Sequence, residues 1–202
     1  LLLLACLCAA PDCPAEDARA RTYAPDPEAK EAPTLHGATW ISETDSYAIR
    51  LQQIDAEERQ AYFERVTGMR IDPFATPPDR SEHFVSFLVE IENRGQDVLE
   101  MNPIHCWLKT NRGSVQTPLG LTDLAFSYRV AGVDLPPGYE RVKPALLEST
   151  RSIASGETVH GLLIYRAVEP KTRSYRVDVQ LAMPNGDTVR FAAPYRRTKK
   201  KR

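Results

Sequence analysis

Between residues 82 and 113 the chain alternates with a period of two. Val85, Phe87, Val89 and Ile91 interleave with Ser86, Leu88, Glu90 and Glu92. An extended backbone puts two such sets on opposite faces, one of them turned toward a core. Asn93-Arg94-Gly95-Gln96 then supplies turn residues, and residues 98–101 resume the extended pattern. A third run over 104–110 sets Ile104, Cys106 and Leu108 on one side and stops at Asn111-Arg112-Gly113. Three extended segments in series, joined by polar turns, predict an antiparallel meander. A sheet with one apolar face needs a second layer to bury it, so this stretch restricts the chain to layered β architectures.

The remaining segments extend that reading. Over 47–54, Tyr47, Ile49 and Leu51 oppose Ala48, Arg50 and Gln52, which predicts a strand. Asp55 followed three residues later by Glu58 is a capping-box pattern, and Tyr62, Phe63 and Val66 give the packing face of a short helix that ends at Gly68. Asp72-Pro73 and Pro77-Pro78 mark a loop. Periodicity is lost between 118 and 150, where residues 121–126 can form a helical turn and Pro136-Pro137-Gly138 interrupts what surrounds it. That segment is expected to be a crossover between sheets or a functional loop. Residues 158–166 are apolar on both faces and read as a central strand. Tyr175, Val177, Val179 and Leu181 lead into Pro184-Asn185-Gly186-Asp187, a strong hairpin signal, and Val189, Phe191 and Ala193 form the returning strand, ended by Pro194. The expected fold is mainly β, an antiparallel β-sandwich with one short N-terminal helix. At 202 residues, 42% hydrophobic and 26% charged, the chain has room for one such domain plus extensions. Its 16 prolines against 10 glycines must fall at edges, turns and linkers.

Four leucines run into Ala5 and Cys6, an apolar stretch like the end of a signal peptide and too short to span a bilayer. Leu3-Leu4-Ala5-Cys6 resembles the bacterial lipobox, which implies acylation of Cys6. The alternative is an ordinary signal peptide cut after Ala10 or Ala15, and Pro11 disfavours the first of these. From 9 to 37 the residues are mostly Ala, Pro, Glu, Asp, Arg and Lys, a composition that predicts a tether rather than a packed segment. The expected organisation is therefore a signal-peptide end and lipobox over 1–8, a tether over 9–37, a β-sandwich over 38–195, and a basic tail over 196–202. That tail holds six of the 26 Lys and Arg, leaving the body acidic behind a net charge of −1. It can bind anionic lipid headgroups or stand solvated, and the acidic body argues against nucleic acid. Outside the cytoplasm disulfides persist, and with Cys6 acylated three cysteines remain, Cys8, Cys13 and Cys106, so no pairing is assigned.

The run Phe87-Leu88-Val89-Glu90-Ile91-Glu92-Asn93, then Leu99, the 104–108 segment, Gly113, and Ser155-Gly156-Glu157 leading to Gly161 and Leu162-Leu163-Ile164-Tyr165, resembles the immunoglobulin-like domains of bacterial envelope lipoproteins. The likeness spans roughly residues 82–193. It implies an envelope location and an immunoglobulin-like sandwich without assigned chemistry, and Leu7 after Cys6 resembles sorting signals for the outer membrane. Another envelope protein is the implied partner, met through sheet edges or the 118–150 segment.

Chemistry-bearing residues give no competing signature. Met101, His105 and Cys106 lie close together, with His83, His160 and Met183 elsewhere, but His105 and Cys106 adjoin on a strand and so face apart. No metal or other cofactor is expected. No G-x-S-x-G, H-E-x-x-H or phosphate-binding glycine loop is present. Glu90 and Glu92 share an outward face, as solvated carboxylates commonly do, and the chain is read as a non-enzyme. Trp40, Trp107, Tyr128 and Tyr139 are aromatic candidates for a contact surface or a sugar platform. Trp107 lies out of phase with Cys106 and Leu108; it is either open or covered by the helix of Tyr62 and Phe63. The surface assigned from sequence is Trp107, Tyr128 and Tyr139.

Overall fold

A computed structural model describes residues 23–75 and 84–198. Its strands and α-helices, in chain order, are β1 (Tyr23–Pro25), β2 (Thr34–His36), β3 (Thr39–Glu43), β4 (Tyr47–Ile54), α1 (Ala56–Thr67), β5 (Phe84–Asn93), β6 (Leu99–Met101), β7 (Trp107–Thr110), β8 (Val115–Gln116), α2 (Leu121–Ala131), β9 (Arg151–Ile153), β10 (Thr158–Arg166), β11 (Ser174–Ala182) and β12 (Thr188–Arg197). Two 3-10 helices, Pro103–His105 and Tyr139–Ala145, complete the set.

The strands form two antiparallel sheets. One has the order β1-β12-β11-β6-β9, with β7 and β8 beside β11; the other runs β10-β5-β4-β3-β2. The alternation of β5 explains how they meet. Phe87, Val89 and Ile91 join Trp40, Ile49, Leu51, Leu163 and Tyr165 in a core shared with Leu108, Val177, Val179, Leu181, Phe191 and Tyr195 of the first sheet. Phe87 packs its ring on Tyr195 at 5.4 Å across that core. The opposite face of β5 and β10, through Leu88, Leu162 and Ile164, meets a second core built by Tyr62, Phe63, Phe74, Leu121, Leu124 and Val142. The molecule is therefore mainly β, two antiparallel sheets with a helical layer over one of them.

Several expectations need correction. Residues 82–113 are not a meander, because β5 lies in one sheet while β6 and β7 lie in the other. Asn93 makes that crossing. Its buried amide donates to the carbonyls of Asp97 and Ile153, both at 2.8 Å, while its Oδ1 accepts from the Gly95 N–H at 3.0 Å. The third run is shorter than expected, since Ile104 sits in a 3-10 turn and is 60% exposed. Pro103 cannot extend a ladder there, and Asn102 Oδ1 accepts the Ile104 N–H at 3.1 Å.

β10 is an edge strand, not a central one. Both its faces are apolar because one lies on each core, and its free edge is occupied by Leu119 and Leu147, whose N–H groups donate to Ile164 and Leu162 carbonyls at 2.7 and 3.0 Å. The single helix becomes two, as the expected turn at 121–126 continues to Ala131. The ordered body also begins before residue 38. Tyr23 is buried, meets the Tyr175 ring at 4.8 Å in a tilted contact and donates its hydroxyl to the Thr172 carbonyl at 3.0 Å, which anchors β1 from a stretch of alanines and prolines. Its partner β12 runs through Pro194 to Arg197. The Pro194 carbonyl accepts from Asp26 on the β1 side at 3.0 Å. The N–H that proline lacks lies on that same side, where β1 has ended, so no bond to β11 is lost. Cys6, Cys8, Cys13, His83 and the tail past 198 lie outside the described residues.

α1 follows its sequence signals closely. The Glu58 N–H donates to Asp55 Oδ1 and the Asp55 N–H to Glu58 Oε2, both at 2.9 Å, and Gly68 closes the helix at φ 71°. Among the described residues no helix is long and apolar enough to cross a membrane.

Candidate interaction surface

Trp107 stands on β7, on the outer face of the first sheet, half-buried and opposite Asp178 of β11. Its ring is not bare. Lys109 Nζ lies 4.7 Å from the ring centroid, and the His105 ring meets it edge-on at 5.8 Å. Lys109 also bonds Asp178 at 2.7 Å, and Arg176 Nε holds the other Asp178 oxygen at 2.6 Å. α1 does not cover Trp107: Tyr62 and Phe63 pack into the core on the far side of the second sheet. The ring that would stack on a sugar thus carries an ammonium already, a contact worth about 0.5–1 kcal/mol at an exposed site.

Tyr128 and Tyr139 lie in the helical layer, partly buried against the second core. The Tyr128 hydroxyl donates to the Pro73 carbonyl at 2.7 Å. Burial, and then the negative charge of Asp72, push its pKa up. Tyr128 ties the layer to the loop after α1, and Trp107 stands on the outer face of the other sheet, so the three residues assigned from sequence do not form one surface.

Sequence reading missed the open side of α2. Leu121 and Leu124 turn inward, leaving Phe126 62% and Val130 72% exposed one turn apart, with Val133 just beyond. The signal was present as apolar residues on both sides of a helical period. The start of α2 is held by carboxylates, since Asp123 accepts the Gly120 N–H and Glu148 the Leu121 N–H, both at 2.9 Å. Single exposed apolar residues are ordinary, whereas grouped ones mark contact sites. Ile104 and Val115 stand on the β7 and β8 side, but Phe126, Val130 and Val133 belong to one helix end.

Arg59 was missed as well. It is fully buried, and its Nε donates to both Asp72 oxygens at 3.1 and 3.0 Å. Nη2 reaches Asp72 Oδ2 at 2.7 Å and the Phe74 carbonyl at 3.3 Å, while Nη1 donates to Ser86 Oγ at 3.0 Å. The cluster ties α1 to β5 and the following loop.

The remaining candidates have structural surroundings. Cys106 is buried, and desolvation pushes its thiol up to about 12, while His105 is exposed on the outside. Among the described residues no three His, Cys, Asp or Glu side chains come close enough to hold a metal. Glu90 is paired with Arg50, and Arg94 donates to Glu92 at 2.8 Å, which holds the Glu92 carboxyl below its ordinary range. Trp40 is fully buried. The sheet edges leave little room for an added strand, because β1, β2 and β9 have three residues, β8 has two, and β10 is occupied.

These observations define a class no finer than a mainly β protein of two antiparallel sheets with helices over one. No family model matches the chain, and no curated protein does. Among solved structures it is similar to the yjhA protein from Bacillus subtilis, at 14% identity over 69% of this chain and 76% of that one, with a TM-score of 0.37. The FixG-related protein from Vibrio parahaemolyticus is similar at 12% identity over 77% and 100%, TM-score 0.36. The putative ApaA protein from Bordetella pertussis follows at 13% identity over 81% and 97%, TM-score 0.34. Likenesses of this degree carry no functional argument.

Proposed function

We propose that this chain is a non-catalytic lipoprotein of the bacterial envelope, acylated on Cys6 and held at the periplasmic side of the outer membrane, whose immunoglobulin-like β-sandwich binds another envelope protein. The observation that carries the contact role is the open apolar side of α2, Phe126 and Val130, with Val133 just past its C-cap, on a helix whose other side packs the second core. A partner covering it removes apolar surface from water without refolding the body. The Leu3-Leu4-Ala5-Cys6 run supports the anchor. No cofactor and no nucleic acid enter this reading.

Photo-crosslinking residues placed at 126 and 130 in intact cells are expected to trap one protein partner, and the same residue at Gln180, on the outer face of the first sheet, is not. Equal capture at all three positions, or none at any, removes the α2 surface from the reading. Labelling with an alkyne fatty acid, lost in Cys6→Ala, checks the anchor separately. A second reading, glycan binding, rests on half-buried Trp107 beside His105 on the outer face of the first sheet, and needs Lys109 to leave the ring. Loss of glycan-array binding in Trp107→Ala is the result it requires.

A further inference from the structure

Tyr23 and Arg197 are register partners in the antiparallel pair of β1 and β12. Tyr23 and Arg197 therefore lie side by side at one end of the first sheet. The loop between β10 and β11 and the turn between β7 and β8 close that end. Arg197 donates its N–H to the Arg173 carbonyl at 2.8 Å, and Asn111 Oδ1 accepts the N–H groups of Arg173 and Ser174 at 3.0 and 3.3 Å. All these ties use the backbone of the basic residues.

Their side chains are left over. Arg166, Lys171, Arg173 and Arg197 are exposed, and none forms an ion pair among the described residues. The nearby carboxylates are taken: Glu169 by Arg112 at 3.1 Å, and Asp26 and Glu28 by Arg196 at 2.5 and 3.1 Å. At the start of α1, Asp55 and Glu58 close the helix cap. An overall charge of −1 thus conceals a strongly basic pole beside the N-terminal entry.

We infer that this pole, Arg166, Lys171, Arg173 and Arg197, is a contact surface for an anionic phospholipid bilayer and sets which end of the body faces the membrane. The inference rests on the anchor proposed above, since a lipid on Cys6 would bring this end of the sheet toward the bilayer. Charge complementarity selects the partner. Each basic residue within a Debye length of an anionic surface strengthens binding roughly fivefold, and the effect is lost in salt. An acyl chain and a basic patch act as two additive membrane signals.

The test uses the full chain with Cys6 unacylated, sedimented with vesicles of phosphatidylcholine carrying phosphatidylglycerol and with phosphatidylcholine alone. The neutral vesicles account for the four N-terminal leucines. Salt-sensitive binding to the anionic vesicles is expected, weakened on the order of 100-fold in Lys171→Gln/Arg173→Gln/Arg197→Gln. Arg70→Gln/Arg129→Gln/Lys143→Gln, with the same charge change on the helical layer, is expected to bind as the parent does. Equal binding to both vesicle types, equal weakening by both triple variants, or binding to heparin but not to vesicles overturns the inference. Since Cys6 is unmodified throughout, a failed anchor shows in acyl labelling and a failed pole in sedimentation.

Discussion

A guanidinium shut away from water is tolerable only when its donors find acceptors, and Arg59 shows what that requires. Asp72, Ser86 and the Phe74 carbonyl surround it. Removing the counter-charge while keeping the arginine leaves a buried cation unpaired, so Asp72→Asn is expected to cost about 3–5 kcal/mol in urea unfolding. Arg59→Met/Asp72→Leu, which removes both charges, is expected to recover much of that; a double variant no better than the single one refutes the pairing as the cause. The position was half legible. Residues 59, 62, 63 and 66 share one helical face, yet an arginine there reads as a solvated edge until Asp72 is seen folded back beneath it. Cys106 was easier, because phase alone put it with Leu108. Its burial and raised thiol pKa of about 12 predict no alkylation of Cys106 by iodoacetamide in the native protein at neutral pH and full alkylation of it in denaturant, read by peptide mass.

Among the elements, β10 teaches most. Its bounds and its two apolar faces were readable from alternation, but its place at an edge was not, because the residues that occupy the edge come from the aperiodic stretch between 118 and 150. The close approach depends on Gly161. A Cβ there would stand 2.7 Å from Leu147 Cγ and 3.3 Å from the Ala145 carbonyl. Gly161→Ala is therefore expected to cost about 1–3 kcal/mol, with faster amide exchange at Leu147, whose N–H donates to the Leu162 carbonyl. Unchanged exchange at Leu147 would show the edge to be held by something else. α2 illustrates the opposite difficulty: a helix apolar on two sides has a weak period, so the sequence supports only a turn where eleven residues are helical.

The whole molecule is organised around its second sheet, with a core on each side. That arrangement buries phenols and a thiol together. Burial raises Tyr165 and Tyr175 well above their ordinary value of 10.0, raises Tyr195 as well, and moves Cys106 from 9.0 to about 12. Unfolded, these groups release protons from about pH 9 upward; folded, they keep them. The unfolded state thus binds fewer protons in that window, so their contribution to stability is intact below pH 9 and falls as pH rises toward 12. Urea midpoints measured from pH 7 upward are expected to stay level and then drop, with the last tyrosines to ionise, followed by ultraviolet absorbance, doing so together with unfolding. Ionisation of all eight tyrosines before unfolding would contradict the burial.

The pairing of Tyr23 with Arg197 has a topological corollary. Because entry and exit lie side by side, a short peptide can splice one to the other, and the circle can be reopened at the exposed Asn185-Gly186 tip without removing a rung from any ladder. Such a permuted molecule would begin with β12 and end with β11, and would keep its shape with Tyr23 and Arg197 bridged.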